Sequence, residues 1–164
     1  MIVGIVGDTH NNLKNISKIC EIFNVNKVDL VIHTGDITLP KSLKAFEKLN
    51  CELLGVFGNN DIDEKNDLLE ASKEFQCNIH DEPFFFEINK KKVCIVHHPE
   101  LINENLIHQA DFIFHGHTHR YRNEVINETI IFNPGECAGF LKGKNQIGII
   151  DLSKKEIEPK ILNF

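Results

Sequence analysis

The stretch DFIFHGHTHR, residues 111–120, decides how the rest of the chain is read. A short apolar run is followed by His115, Gly116, His117 and His119, so three of the nine histidines fall within five positions. An apolar run of that length reads as a buried strand. Its carboxyl end then delivers imidazoles. The glycine between them leaves room for the backbone to pass close to whatever they hold.

Four other apolar runs end in the same way. IVGIV (2–6) leads through Gly7 to Asp8 and His10, and VDLVIHT (28–34) leads through Gly35 to Asp36. CELLGVFG (51–58) ends before Asn59, and KVCIV (92–96) runs into His97 and His98. In α/β sheets, sites form outside the carboxyl ends of strands. Neighbouring strands lie about 4.8 Å apart, so such groups can converge on one pocket.

Asp8, His10, Asp36, Asn59, His97, His115 and His117 make seven candidate metal ligands. That is more than one small cation takes from protein. It suits two cations about 3.5–4 Å apart with a carboxylate between them. The set contains no cysteine, which excludes a structural zinc–thiolate site and fits catalytic Mn²⁺, Ni²⁺, Fe²⁺, Co²⁺ or Zn²⁺. Two dications against two aspartates leave the site at about +2, a sign that attracts phosphate.

Between these runs, residues 12–25, 40–49, 61–75 and 99–110 carry helical periodicity. Residues 83–98 read as a hairpin around NKK. Residues 123–135 and 145–162 read as hairpins with turns near NE and SKK. A βαβαβα half followed by a β-rich half predicts two sheets packed face to face with helices outside; an open three-layer α/β sheet is the alternative. The 164 residues show no linker or repeat, which predicts a single domain over 1–164.

Composition narrows the function. The net charge of −6 disfavours general nucleic-acid binding through a basic surface. No apolar run approaches the roughly 20 residues that span a bilayer, and the first residues do not read as a secretion signal. Five cysteines without a CxxC pair read as reduced thiols, so a cytoplasmic location and no membrane association are expected.

GDTH (7–10), GD (35–36), GNND (58–61), the strand-terminal His97 and GHTH (116–119), in that order, resemble the motifs of the calcineurin-like metallophosphoesterases. The chain length and NPGE (133–136) are similar to those of the small prokaryotic YfcE-type phosphodiesterase branch. The resemblance implies a four-layer α/β/β/α sandwich, two facing mixed β-sheets flanked by helices. It implies two divalent metal ions, Mn²⁺ foremost. Carried over, Asp8, His10 and His117 hold one metal; Asn59, His97 and His115 hold the other; Asp36 bridges. A hydroxide between the metals would then attack the phosphorus of a small phosphodiester.

The chain departs from the family pattern at two places. Where many members read GNH, this chain has Asn60, and an amide is no general acid at working pH. Asp61, His98 and His119 remain as candidates for protonating the leaving group. The fourth block reads HHP. His97 is taken as the ligand because Pro99 keeps His98 out of helical geometry. The catalytic set is therefore Asp36, Asn59, Asn60, His98 and His119, with His119 either facing phosphate or simply on the surface. Asn12 reads as a helix cap or a phosphate contact, Asn133 and Glu136 as turn residues, and His33 as core. The PFFF run (83–86) reads as core or as a homo-oligomer contact. The rival functions are a non-catalytic interaction scaffold on the same fold, like a retromer subunit, and a phosphomonoesterase or protein phosphatase.

Overall fold

The computed structural model describes residues 1–154 in full and residues 160–163 by their backbone. The first half of the chain alternates strand and helix: β1 (Ile2–Val6), α1 (Leu13–Val25), β2 (Leu30–His33), α2 (Pro40–Lys44), β3 (Glu52–Val56), α3 (Lys65–Ser72) and β4 (Cys77–His80). The second half runs β5 (Phe84–Ile88), β6 (Lys91–Ile95), α4 (Glu104–Gln109), β7 (Phe112–Phe114), β8 (Arg122–Ile126), β9 (Thr129–Asn133), β10 (Gln146–Asp151) and β11 (Lys160–Asn163). One sheet has the order β11-β10-β1-β2-β3-β4 and the other β5-β6-β7-β9-β8. Strands β1 to β4 are parallel, as are β6, β7 and β9. The remaining pairs are antiparallel.

The period-2 pleat assigns each apolar residue its layer. Val3, Ile5, Leu30, Ile32, Leu54 and Val56 face the second sheet, where Val93, Ile95, Phe112, Phe114 and Phe132 meet them. The alternate positions Val6, Val31 and Leu53 face outward. There they pack under Ile16, Ile19, Cys20 and Phe23 of α1 and Leu68 of α3. On the far side, Cys94, Ile113 and Ile131 pack under Leu106 and Ile107 of α4. Strands buried on both faces need continuous apolar runs, which is what the sequence shows. The result is the expected four-layer sandwich, and the open three-layer alternative falls.

Local chemistry sets the element ends. Asn12 caps α1, its Oδ1 accepting the Asn15 N–H at 3.1 Å, and Asn103 caps α4 through the Leu106 N–H at 3.0 Å. The β5–β6 and β8–β9 hairpins turn on Asn89–Lys90 and Asn127–Glu128, all four at positive φ, a twist that matches the flanking strands. The turn expected near SKK falls partly outside the described residues. Strand β4 was not anticipated: CNIH is an edge segment of four residues whose apolar–polar alternation is too short to stand out. Helices α3 and α4 are shorter than their periodicity suggested, because 3₁₀ turns at Asn59–Asp61 and Pro99–Leu101 take up the preceding residues. Among the described residues no helix is long and apolar enough to cross a membrane.

Candidate metal centre

The parallel strands β1, β2 and β3 point their carboxyl ends to one edge of the first sheet, and β6 and β7 do the same in the second. The loops leaving them are tied together directly. Asp8 N–H donates to Gly35 O at 3.0 Å, His10 N–H to Asp36 O at 2.9 Å, and Gly116 N–H to His97 O at 3.2 Å. His117 N–H donates to Asp8 Oδ1 at 3.1 Å, joining the two sheets.

Six side-chain carriers in these loops take a left-handed backbone, in three pairs spaced by two residues. Asp8 and His10 have φ of 50° and 44°, Asp36 and Thr38 59° and 80°, His117 and His119 68° and 56°. Each non-glycine residue in that region carries strain on the order of 1–3 kcal/mol, which surrounding structure must offset. The alternation turns both members of a pair toward the same rim.

Asp36 stands in the middle. Its Oδ2 lies 3.7 Å from His10 Nε2 and 3.5 Å from His97 Nε2. Asn60 holds both of its oxygens, through the backbone N–H to Oδ1 at 2.9 Å and the side-chain amide to Oδ2 at 2.8 Å. Burial pushes the Asp36 carboxyl up, but His97, the two Asn60 bonds and His10 together hold it below the usual value.

Two groups of donor atoms flank it. Asp8, His10, Asp36 and His119 offer atoms all within 4.8 Å of one another, and so do His97, His98 and His117. Asn59 joins the second group, its Oδ1 3.0 Å from His97 Nε2 and 3.0 Å from His117 Nδ1. His97 Nδ1 faces the Thr34 carbonyl at 2.9 Å and must donate to it. In the neutral ring, Nε2 then presents a lone pair to the Asn59 oxygen. Acceptor facing acceptor is an arrangement a cation resolves. In the first group, Asp8 Oδ2 and His10 Nε2 are buried with no hydrogen-bond partner, and leaving buried acceptors unpaired is costly. The residues present therefore fit the divalent cations expected from the sequence.

Other side chains hold this set in place. Asp61 is fully buried behind Asp36, and Glu82 accepts the backbone N–H groups of His97 and His98 at 2.5 and 3.0 Å. The other Glu82 oxygen lies 2.5 Å from His98 Nδ1 at the rim. His33 accepts the Gly35 N–H through Nδ1 at 3.1 Å, so its Nε2–H donates to Thr9 Oγ1 at 2.9 Å. Burial pushes this imidazole down to about 3, with Asp36 pulling the other way. Gly58 is obligatory: a Cβ there would lie 2.2 Å from Asp36 Oδ1 and 2.5 Å from Asp36 N.

The grouping differs from the expected one. His117 sits with Asn59 and His97 rather than with Asp8 and His10. His119, left undecided between phosphate and surface, lies 3.4 Å from Asp8 Oδ1, and that hydrogen bond raises its pKa. His115 belongs to neither group. It still lies in the strand ladder, its N–H bonded to Phe132 O at 3.0 Å and its Nδ1 turned back to its neighbour Gly116 O, while its Nε2 is buried without a hydrogen-bond partner. A signal for His119 was present: GHTH repeats the G-x-T-H spacing of GDTH, in which the second and fourth positions, Asp8 and His10, both carry donor atoms. Asp61 is no proton donor to substrate, because both its oxygens are occupied by backbone N–H groups out of solvent. Asn12 is a helix cap, as the commoner reading had it. Sequence reasoning gave no role to Glu82 or Phe140.

Residues 1–155 match the calcineurin-like phosphoesterase superfamily domain, and the chain belongs to that superfamily of hydrolases. It is 40% identical over 166 residues to the phosphodiesterase MJ0936 of Methanocaldococcus jannaschii, covering 99% of each chain. A solved structure of an archaeal phosphodiesterase superposes with a TM-score of 0.84 at 38% identity, covering 99% of this chain and all of that one. The phosphoesterase Yfce from E. coli shares the fold, with a TM-score of 0.71 at 19% identity over 99% of this chain and 98% of its own.

Proposed function

We propose that the chain is a divalent-metal-dependent phosphodiesterase acting on small phosphodiesters. The observation that carries this reading is the central position of Asp36 between two donor groups, one with the buried Asp8 Oδ2 and His10 Nε2 unpartnered and the other with His97 Nε2 facing the Asn59 oxygen. On this reading, Asp8, His10 and His119 with Asp36 hold one cation. Asn59, His97 and His117 with Asp36 hold the other. Mn²⁺ is the leading candidate, with Ni²⁺, Fe²⁺, Co²⁺ and Zn²⁺ as alternatives. Bound there, divalent cations acidify water to a nucleophile near neutral pH and offset charge on phosphoryl oxygens. The rest falls to the protein. Asn60 fixes the direction of both Asp36 oxygens, and Glu82 fixes the His97–His98 backbone. Asn60 carries no acidic proton, so the departing oxygen takes its proton from water or from the rim imidazole of His98. The diester preference rests on the 40% identical relative over the full chain.

The test is hydrolysis of bis(p-nitrophenyl) phosphate and p-nitrophenyl phosphate by chelator-stripped protein with each metal restored. Mn²⁺-dependent turnover favouring the diester supports the reading. A higher monoester rate would point to a phosphomonoesterase. Folded protein that turns over neither ester with any of the metals would point to the scaffold role.

A further inference from the structure

Beside the metal centre, a groove of about 470 Å³ opens between the start of α1 and the loop after β9, lined by His10, Asn11, Asn12, Leu13, Ala138 and Phe140. We infer that this groove binds a planar aromatic ester arm of the substrate, with Phe140 as its stacking wall. The inference rests on the phosphodiesterase reading and names the substrate class for it.

Phe140 is the first reason. It is 67% exposed, yet its ring lies 5.2 Å from the His10 ring and 5.7 Å from the His119 ring, nearly parallel to the latter at 10°. A ligand ring laid against it would remove that apolar surface from water. Phe140 is also held firmly. Glu136 is fully buried and accepts the N–H groups of Gly139, Phe140 and Leu141 at 3.0, 3.4 and 2.8 Å. A buried carboxylate spent on three backbone donors fixes the presentation of one exposed ring.

The opposite wall is tied to this loop. Asn12 Nδ2 donates to Ala138 O at 2.8 Å and Asn15 Nδ2 to Cys137 O at 2.8 Å. Leu13, 43% exposed, adds apolar surface. The groove is thus built before any ligand arrives, which keeps the ordering cost of binding low.

Its lining selects the occupant. His10 is shared with the donor group around Asp8 and Asp36, so a phosphate held there puts an ester substituent at the groove mouth. No Lys, Arg, Asp or Glu lines it, which disfavours a charged arm. Phe140 and Leu13 suit an aromatic face, and the exposed Asn11 carboxamide, whose Oδ1 already accepts from Ser42 Oγ, keeps its NH₂ for the polar edge of a heterocycle.

The test is calorimetric binding of phenylphosphonate and methylphosphonate to the Mn²⁺-loaded protein, which needs no turnover. Phenylphosphonate should bind about five- to tenfold tighter than methylphosphonate, the scale of one ring stacked on another and shielded from water. Phe140→Ala should bring that ratio toward one and Phe140→Tyr should keep it. Equal affinities in the unaltered protein, or an unchanged ratio in Phe140→Ala, overturn the inference, and binding of neither phosphonate overturns it together with the phosphate site. If the phosphonates bind with the expected ratio but no diester is hydrolysed, the phosphodiesterase reading fails while the groove stands.

Discussion

Asp61 lies fully buried directly behind Asp36, and its Oδ2 accepts the Asp36 backbone N–H at 2.9 Å. The same oxygen accepts the Gly58 N–H at 2.7 Å, and Oδ1 accepts the Thr38 N–H at 2.5 Å. One carboxylate thus locks the turn that presents Asp36 to the turn that presents Asn59. Asp61→Asn must set an NH₂ group against at least one backbone donor. We expect a loss of about 1–3 kcal/mol in urea unfolding and weaker Mn²⁺ binding by titration. Unchanged metal affinity in a folded Asp61→Asn protein would remove the positioning role.

The histidine assignments separate cleanly by metal analysis. His117→Ala and His119→Ala should each lower the Mn²⁺ bound per chain and weaken what remains by about 10- to 100-fold, the scale of disturbing a ligand shell. His115→Ala should keep full loading. Loss of metal from His115→Ala with retention in His119→Ala would restore the grouping first read from the sequence.

Gly58→Ala tests the tightness of the Asp36 turn. The added methyl would meet the Asp36 carboxylate and backbone at 2.2 and 2.5 Å, and backbone cannot move aside cheaply. Destabilisation of about 1–3 kcal/mol is expected by thermal unfolding, as for overpacked interiors.

His33 gives the pH dependence of the metal-free protein. Its folded pKa, about 3, lies below the unfolded value of 6.5. The neutral ring is favoured by folding, so its contribution is complete above about pH 6.5 and is lost as pH falls from there toward about 3. The slope for one such group approaches about 1.4 kcal/mol per pH unit. Burial lowers His115 as well, and it adds in the same direction. His119, raised by Asp8, acts oppositely. Urea unfolding at pH 5 and pH 6 should therefore show a shallower dependence in His33→Gln than in the unaltered chain. Identical slopes would mean His33 takes a proton in the folded state.

Asn60 sets the leaving-group preference. With its amide engaged on Asp36 and no acidic proton to give, the site should favour esters whose departing group needs none. Nitrophenyl diesters should turn over at least about 100-fold faster than alkyl diesters, the size of a typical general-acid contribution. Comparable rates would require a proton donor at the rim, and the pH profile of His98→Gln would test for it.

Much of the sandwich was legible in the residues. Val3, Ile5, Ile32, Leu54 and Phe114 sit in apolar runs too continuous for a half-solvated strand, and Ile16, Ile19 and Phe23 mark one helical face. Strand β4 was not legible, because an edge strand needs only one apolar side. The list of chemistry-bearing residues was legible as well, since strand ends announce themselves by a glycine and a polar group. Their partnership was not. His115, His117 and His119 look alike in the sequence, and only the folded backbone tells which imidazole joins which donor group.

The sequence by itself determined the alternation of strands and helices and the placing of Asp8, Asp36, Asn59, His97 and the 115–119 segment at strand ends, because burial pattern and strand polarity are local properties; the two-sheet sandwich rested on the motif resemblance until the packing chose it over an open sheet. Tertiary structure alone decided that Asp36 stands between two donor groups, that Asp61 and Glu82 lock the loops from behind, and that Phe140 walls a groove beside His10. Those relations join residues distant in the chain. They follow from left-handed turns and long-range hydrogen bonds that exist only once both sheets are packed.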